Sequence, residues 1–156
     1  MSQQGIRGYY QLTSTIEEQL RSTEFTNTVS IGDISKVNLN KQDIFPLAHM
    51  IVNSVTAEEQ VLRFDISILA CDIVDQSKDI TTDRFTGNDN EQDILNTQLA
   101  VLNKAIQVLR MGTLHQYMYQ LDSPVNCEPF YDRFENQLAG WTATMDIVIY
   151  NDIRIC

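Results

Sequence analysis

Only two histidines and three cysteines occur in the 156 residues of the chain, and their spacing excludes more than their number does. Cys71, Cys127 and Cys156 are far apart, odd in number and in no C-x-x-C pair. That argues against a zinc site and against a disulfide framework, and leaves reduced, structural thiols as the reading. His49 and His115 have no second His or Cys at ligand spacing, so each reads as a structural or surface histidine and not as a ligand or base. There is no G-x-S-x-G, no P-loop and no G-x-G-x-x-G. No Gly/Ser/Pro-rich linker, internal repeat or low-complexity tract interrupts the chain, so a domain boundary has nowhere to fall and 1–156 reads as a single domain. A chain of this length buries enough of its surface to fold on its own core.

Long apolar runs are missing too. Nothing approaches the ~20 residues of a membrane span, and the opening MSQQGIRGYYQL has one Arg and no apolar core segment, so it does not read as a secretory leader. The expectation is a soluble protein made in the cytoplasm, with no membrane partner. Positive charge is scarce: eleven Lys and Arg stand against twenty-one Asp and Glu, a net charge of -10. Wrapping of nucleic acid needs clustered cations to release counterions. An acidic surface instead lets DNA pass without sticking, because like charges repel.

What the chain does have is clear periodicity. In Gln60–Val74, Phe64, Ile66, Ile68 and Ala70 recur at period two against Arg63, Asp65 and Ser67, a strand with one wet face. From Leu69 onward the other face turns apolar as well (Leu69, Cys71, Ile73), so that half is expected to be covered on both sides, by a helix or by another subunit. Leu47–Thr56 is a second extended run, separated from the first by a short polar interval, and predicts an antiparallel hairpin entered at Phe45-Pro46. Leu138–Tyr150 alternates most cleanly, with Trp141, Ala143, Met145, Ile147 and Ile149 on one side. Tyr9, Leu12, Ile16 and Leu20 predict a short helix from Gly8 to Ser22, and Thr28–Ile31 a short strand closed by Gly32-Asp33. Asp33–Asp43 reads as a connection. After Gly87-Asn88-Asp89-Asn90, capped by Asn88 or Asp89, Leu95, Leu99, Leu102, Ile106 and Leu109 form a stripe widened by Ile94, Val101, Ala105 and Val108. This principal helix ends at Met111-Gly112. Leu114–Pro124 shows no clear element, and Val125–Phe130 reads as a short strand broken by Pro129. The order predicts an α+β layer, a mostly antiparallel sheet carrying a long amphipathic helix and a short N-terminal one.

Carboxylates are the one chemical resource in quantity. Asp65, Asp72 and Asp75 lie along or just after one strand, yet the seven positions between Asp65 and Asp72 put them on opposite faces and defeat a shared acid/base or metal site. Asp72 and Asp146 fall in otherwise apolar strands, where an inward carboxylate needs a partner such as Arg63, Arg133 or Arg154. The segment Asp75–Asn90 is long, polar and rich in aspartate, the kind of connection that is usually functional, and Phe85 within it has no local apolar partner. Its aspartates, Asp83 and Asp89 among them, do not match D-x-[DN]-x-[DN]-G, although a small metal-dependent hydrolase or ligand-binding domain using them is an alternative from another class.

Four phrases then carry a resemblance: the opening helix, VNLNKQDIFPLAHMIVNSVTAEEQVLRFDISILACDIVDQSKD, NEQDILNTQLAVLNKAIQVLR and CEPFYDRFENQLAGWTATMDIVIYND. Together they resemble the tail-terminator or tail-completion (neck) proteins of tailed bacteriophages, particularly phages of Bacteroidetes. The resemblance implies a twisted sheet backed by helices and a virion protein without enzymatic activity or cofactor. Copies would assemble into a ring at the head-tail junction, between portal or connector and tail, around a channel for DNA. A portal-side adaptor or stopper of the same neck is the alternative position. On this reading, Asp75, Lys78, Asp83, Arg84 and Phe85 of the long loop, with Leu69 and Ile73 of the two-sided strand and the strand edges, are expected at subunit contacts.

Overall fold

The computed structural model describes residues 4–37, 42–74, 91–111, 119–121, 124–133 and 138–150. Along the chain these form α1 (Gln4–Arg21), β1 (Thr28–Ile31), 3-10 turns at Ile34–Lys36 and Gln42–Ile44, β2 (Leu47–Ala57), β3 (Val61–Ile73), α2 (Glu91–Arg110), β4 (Tyr119–Leu121), β5 (Asn126–Arg133) and β6 (Leu138–Tyr150). The class is α+β, as the periodicities predict.

The β2–β3 hairpin and β6 build the centre of the sheet. Its turn closes with the Glu58 N–H donating to the Val61 carbonyl at 2.9 Å, but the register is set by apolar facing, since Met50 opposes Ile68, Val52 opposes Ile66 and Val55 opposes Phe64. Between Val52 and Ser54 the ladder skips a residue. Asn53 is therefore a bulge, and it lets Val55 and Ala57 rejoin the face that Ala48, Met50 and Val52 occupy. β6 pairs antiparallel along the whole of β3, from Val61 opposite Tyr150 to Ile73 opposite Leu138. At Gly140 the two backbones are so close that a Cβ would overlap the Ala70 carbonyl oxygen and lie 2.8 Å from the Cys71 Cα, so only glycine fits.

β1 adds in parallel beside β2, while β4 and β5 follow one another along the far side of β6, both antiparallel to it. The six-stranded sheet thus has β1 at one border and β4 with β5 at the other. β5 runs through Pro129 to Arg133 instead of breaking there. A border strand bonded on one side only tolerates the missing N–H.

Both helices lie on one face of the sheet. Leu12, Ile16 and Leu20 of α1 and Val101, Leu102, Ala105, Ile106 and Leu109 of α2 close over Met50, Phe64, Ile66, Ile68, Met145 and Ile147 in one core. On the opposite face, Phe45, Leu47, Cys71, Phe130 and Leu138 cluster at one end with Val37, Ile44, Leu69 and Ile73. The two-sided half of β3 is thus covered by the chain's own β1–β2 connection.

Three expectations are corrected. α1 begins at Gln4 instead of Gly8. The stripe of α2 is turned toward Ile94, Leu95, Gln98, Val101 and Leu102, so that Gln98 is 2% exposed while Leu99 is 37% exposed. The region without a clear element contains β4. Among the described residues no helix is long and apolar enough to cross a membrane.

Candidate functional site

Away from that cluster the open sheet face is largely polar. Period-two strands whose apolar residues enter the core send the alternate residues out, and β3 and β6 thereby present Arg63, Asp65, Ser67, Thr142, Thr144 and Asp146. Asp65 and Asp146 stand directly opposite one another, both half-buried. Asp146 is thus on the open face and not an inward carboxylate. Asp72, of the other parity, pairs with Ala139 on the helical side, so it shares no site with Asp65. Asn53 stands at the bulge and donates to Ser67 Oγ at 2.8 Å and to Asp65 Oδ1 at 3.5 Å, and Ser67 Oγ lies 3.5 Å from Thr144 Oγ1. Arg63 pairs with Glu58 at 3.3 Å. Asn53, Asp65, Ser67 and Thr144 thus form one hydrogen-bonded chain, and among the described residues no set of three or more His, Cys, Asp or Glu gathers in metal-binding geometry.

His49 is fully buried where β2 meets β1. Its Nε2 lies 2.8 Å from the Gly32 carbonyl, which can only accept, so Nε2 carries the proton; Nδ1, 2.7 Å from Ser30 Oγ, then accepts from the hydroxyl. Burial holds its pKa below the usual 6.5, against the pull of the Gly32 carbonyl and Asp33. This is a structural histidine that fastens the short border strand. Burial likewise pushes the Asp72 carboxyl upward, opposed by the hydrogen bond it accepts from the Ile73 N–H at 2.8 Å. The thiol of Cys71 is pushed up to about 12 by burial and by Asp72, which leaves it inert at neutral pH, and burial raises Cys127 as well.

Two shallow grooves flank the sheet on its helical side, one at each border. The first, about 400 Å³, lies between α1 and β1 and is lined by Tyr9, Tyr10, Val29, Ile31 and Met50 together with Thr13, Ser14, Glu17 and Ser30. Tyr10 is 74% exposed, Tyr9 45% and Ile31 46%. The second, about 550 Å³, lies between the start of α2 and β5 and is lined by Leu95, Leu99, Tyr131 and Trp141 together with Gln92, Asp93 and Asn96. Trp141 Nε1–H donates to the Leu95 carbonyl at 2.7 Å, which fixes the indole as its floor, and Tyr131 is 51% exposed. Among the described residues, neither groove is lined by a histidine, a cysteine or more than one carboxylate.

Of the residues expected at subunit contacts, Leu69 and Ile73 are partly buried in the cluster on the open face. Asp75, Lys78, Asp83, Arg84 and Phe85 lie outside the described residues, as do Asn88, Asp89, His115, Cys156, Arg154 and the side chain of Arg133. The two border grooves were missed by periodicity, because each joins residues from distant segments. The exposed tyrosine pair at positions 9 and 10 was the only local signal for either.

No protein-family model matches the chain, and no curated protein does.

Proposed function

We propose that the protein is a non-enzymatic structural subunit of a tailed-phage virion, forming a ring at the head-tail junction that joins portal or connector to tail around the DNA channel. The observation that carries this reading is the layering: both helices back one face of a mostly antiparallel sheet, as the resemblance to neck proteins implies. Within the stretches quoted above, IFPLAHMIV leads into the start of β2 and GWTATMDIVIY lies on β6, so the resemblance includes residues that build the sheet. Exposed tyrosines and aliphatic side chains at both borders, Tyr9, Tyr10, Ile31, Leu99 and Tyr131, suit assembly. The net charge of -10 suits a channel through which DNA slides without being held.

Electron microscopy of the purified chain, alone and with portal and tail components, tests this. Rings with a central opening are expected, on the tail end for a terminator and on the portal for an adaptor or stopper. A chain that stays monomeric at high concentration and binds neither component overturns the reading.

A further inference from the structure

We propose that the two border grooves are the two halves of one contact between neighbouring copies, the α1–β1 border of each docking head to tail against the α2–β5 border of the next. The inference rests on the ring reading and assigns it a surface. Among the described residues β1 pairs only with β2, and β4 and β5 only with β6, so no described strand lies along the outer side of either border. Each also carries exposed aromatic and aliphatic groups on the helical side: Tyr9, Tyr10 and Ile31 at one, Leu99 and Tyr131 around the half-buried Trp141 at the other.

A second copy is the occupant that fits both borders at once. Every copy has one groove of each kind, so a head-to-tail contact covers both, whereas two-fold pairing of like borders leaves one kind open in every pair. Area points the same way. With about 200 Å² for a large side chain, the exposed parts of Tyr9, Tyr10, Ile31, Leu99 and Tyr131 come to roughly 500 Å². A stable pair buries about 1,200–2,000 Å². One such contact leaves a weak dimer, while a closed ring holds each copy on both sides. The contact is made by side chains and not by extending the sheet: Pro129 removes a donor from β5, the ladder is irregular between Phe130 and Arg133, and β1 has four residues. These are the devices by which border strands resist strand addition.

Two surface variants test the assignment, Tyr10→Glu with Ile31→Glu at one border and Leu99→Glu with Tyr131→Glu at the other. Each is checked for wild-type circular dichroism and urea midpoint, with Ser replacing Glu in any variant that misfolds. Sedimentation and native mass spectrometry are run on the full chain, on the portal or tail components if wild type assembles only there. Each variant alone is expected to associate at least tenfold more weakly than wild type. Mixed, the two restore one intact contact and give a weak, concentration-dependent heterodimer that grows no further. If both variants still assemble like wild type, or if only one loses assembly and mixing rescues nothing, the head-to-tail contact is wrong while the ring reading stands. A wild-type chain that is monomeric under all these conditions overturns both.

Discussion

His49 ties the stability of the fold to pH, and the direction follows from its burial. Its folded pKa lies below the unfolded value of 6.5, so above that pH both states are neutral and stability is full. As pH falls below 6.5 the unfolded chain takes up a proton that the folded one refuses, and stability declines until the folded value is reached. Asp72, raised in the fold, acts with the opposite sign and loses stability as pH rises through its folded value. The urea midpoint is therefore expected to fall between about pH 7.5 and about pH 5.5, with a shallower fall in His49→Gln. An unchanged slope in that variant assigns the dependence to other groups. Gln98 supplies a second residue-scale test. Its amide is buried in the face of α2 that meets the core and makes no hydrogen bond to a described residue, so Gln98→Leu is expected to raise stability by about 1 kcal/mol in urea unfolding. A loss of that size instead means that the amide has a partner.

At the scale of elements, what was legible in the sequence was what a single segment carries within itself. β6 matches its predicted span because alternation runs through thirteen residues, and the hairpin is readable because two extended runs flank a short polar interval, although the bulge at Asn53 shifts the apolar phase of β2. β4 was not, because three residues held by pairing with β6 leave no period to detect. α2 was found but turned, since polar Gln98 faces inward while apolar Leu99 lies at the flank, an inversion that a hydrophobic stripe cannot reveal. The β3–β6 pair rests on one permissive position. Gly140→Ala is expected to cost about 3 kcal/mol or more, because the clash is with backbone that cannot swing aside. A thermal midpoint within two or three degrees of wild type contradicts that close approach. Trp141→Phe removes the bond to Leu95 and is expected to cost about 1 kcal/mol while loosening the start of α2, visible as faster amide exchange there.

For the molecule as a whole, the candidate contact surface was the least legible part. Positions 9, 10 and 31 become neighbours, as do 99, 131 and 141, only through the strand order, and no local pattern announces that order. The charge was legible and makes a prediction here: copies at -10 repel, so association is expected to strengthen on raising salt from about 0.05 M to about 0.5 M, where the Debye length drops to a few ångströms. Sedimentation showing weaker association at the higher salt points to an ionic contact in place of an apolar one. One residue in the long hairpin is surplus to this architecture. With Asn53 deleted, Val52 still opposes Ile66 and Ser54 still opposes Asp65, now in an unbroken ladder, so a chain one residue shorter keeps its inside and outside intact. The same deletion at Ser67 transposes the inside and outside of half a central strand, and the hairpin thus has one place where length is free to vary.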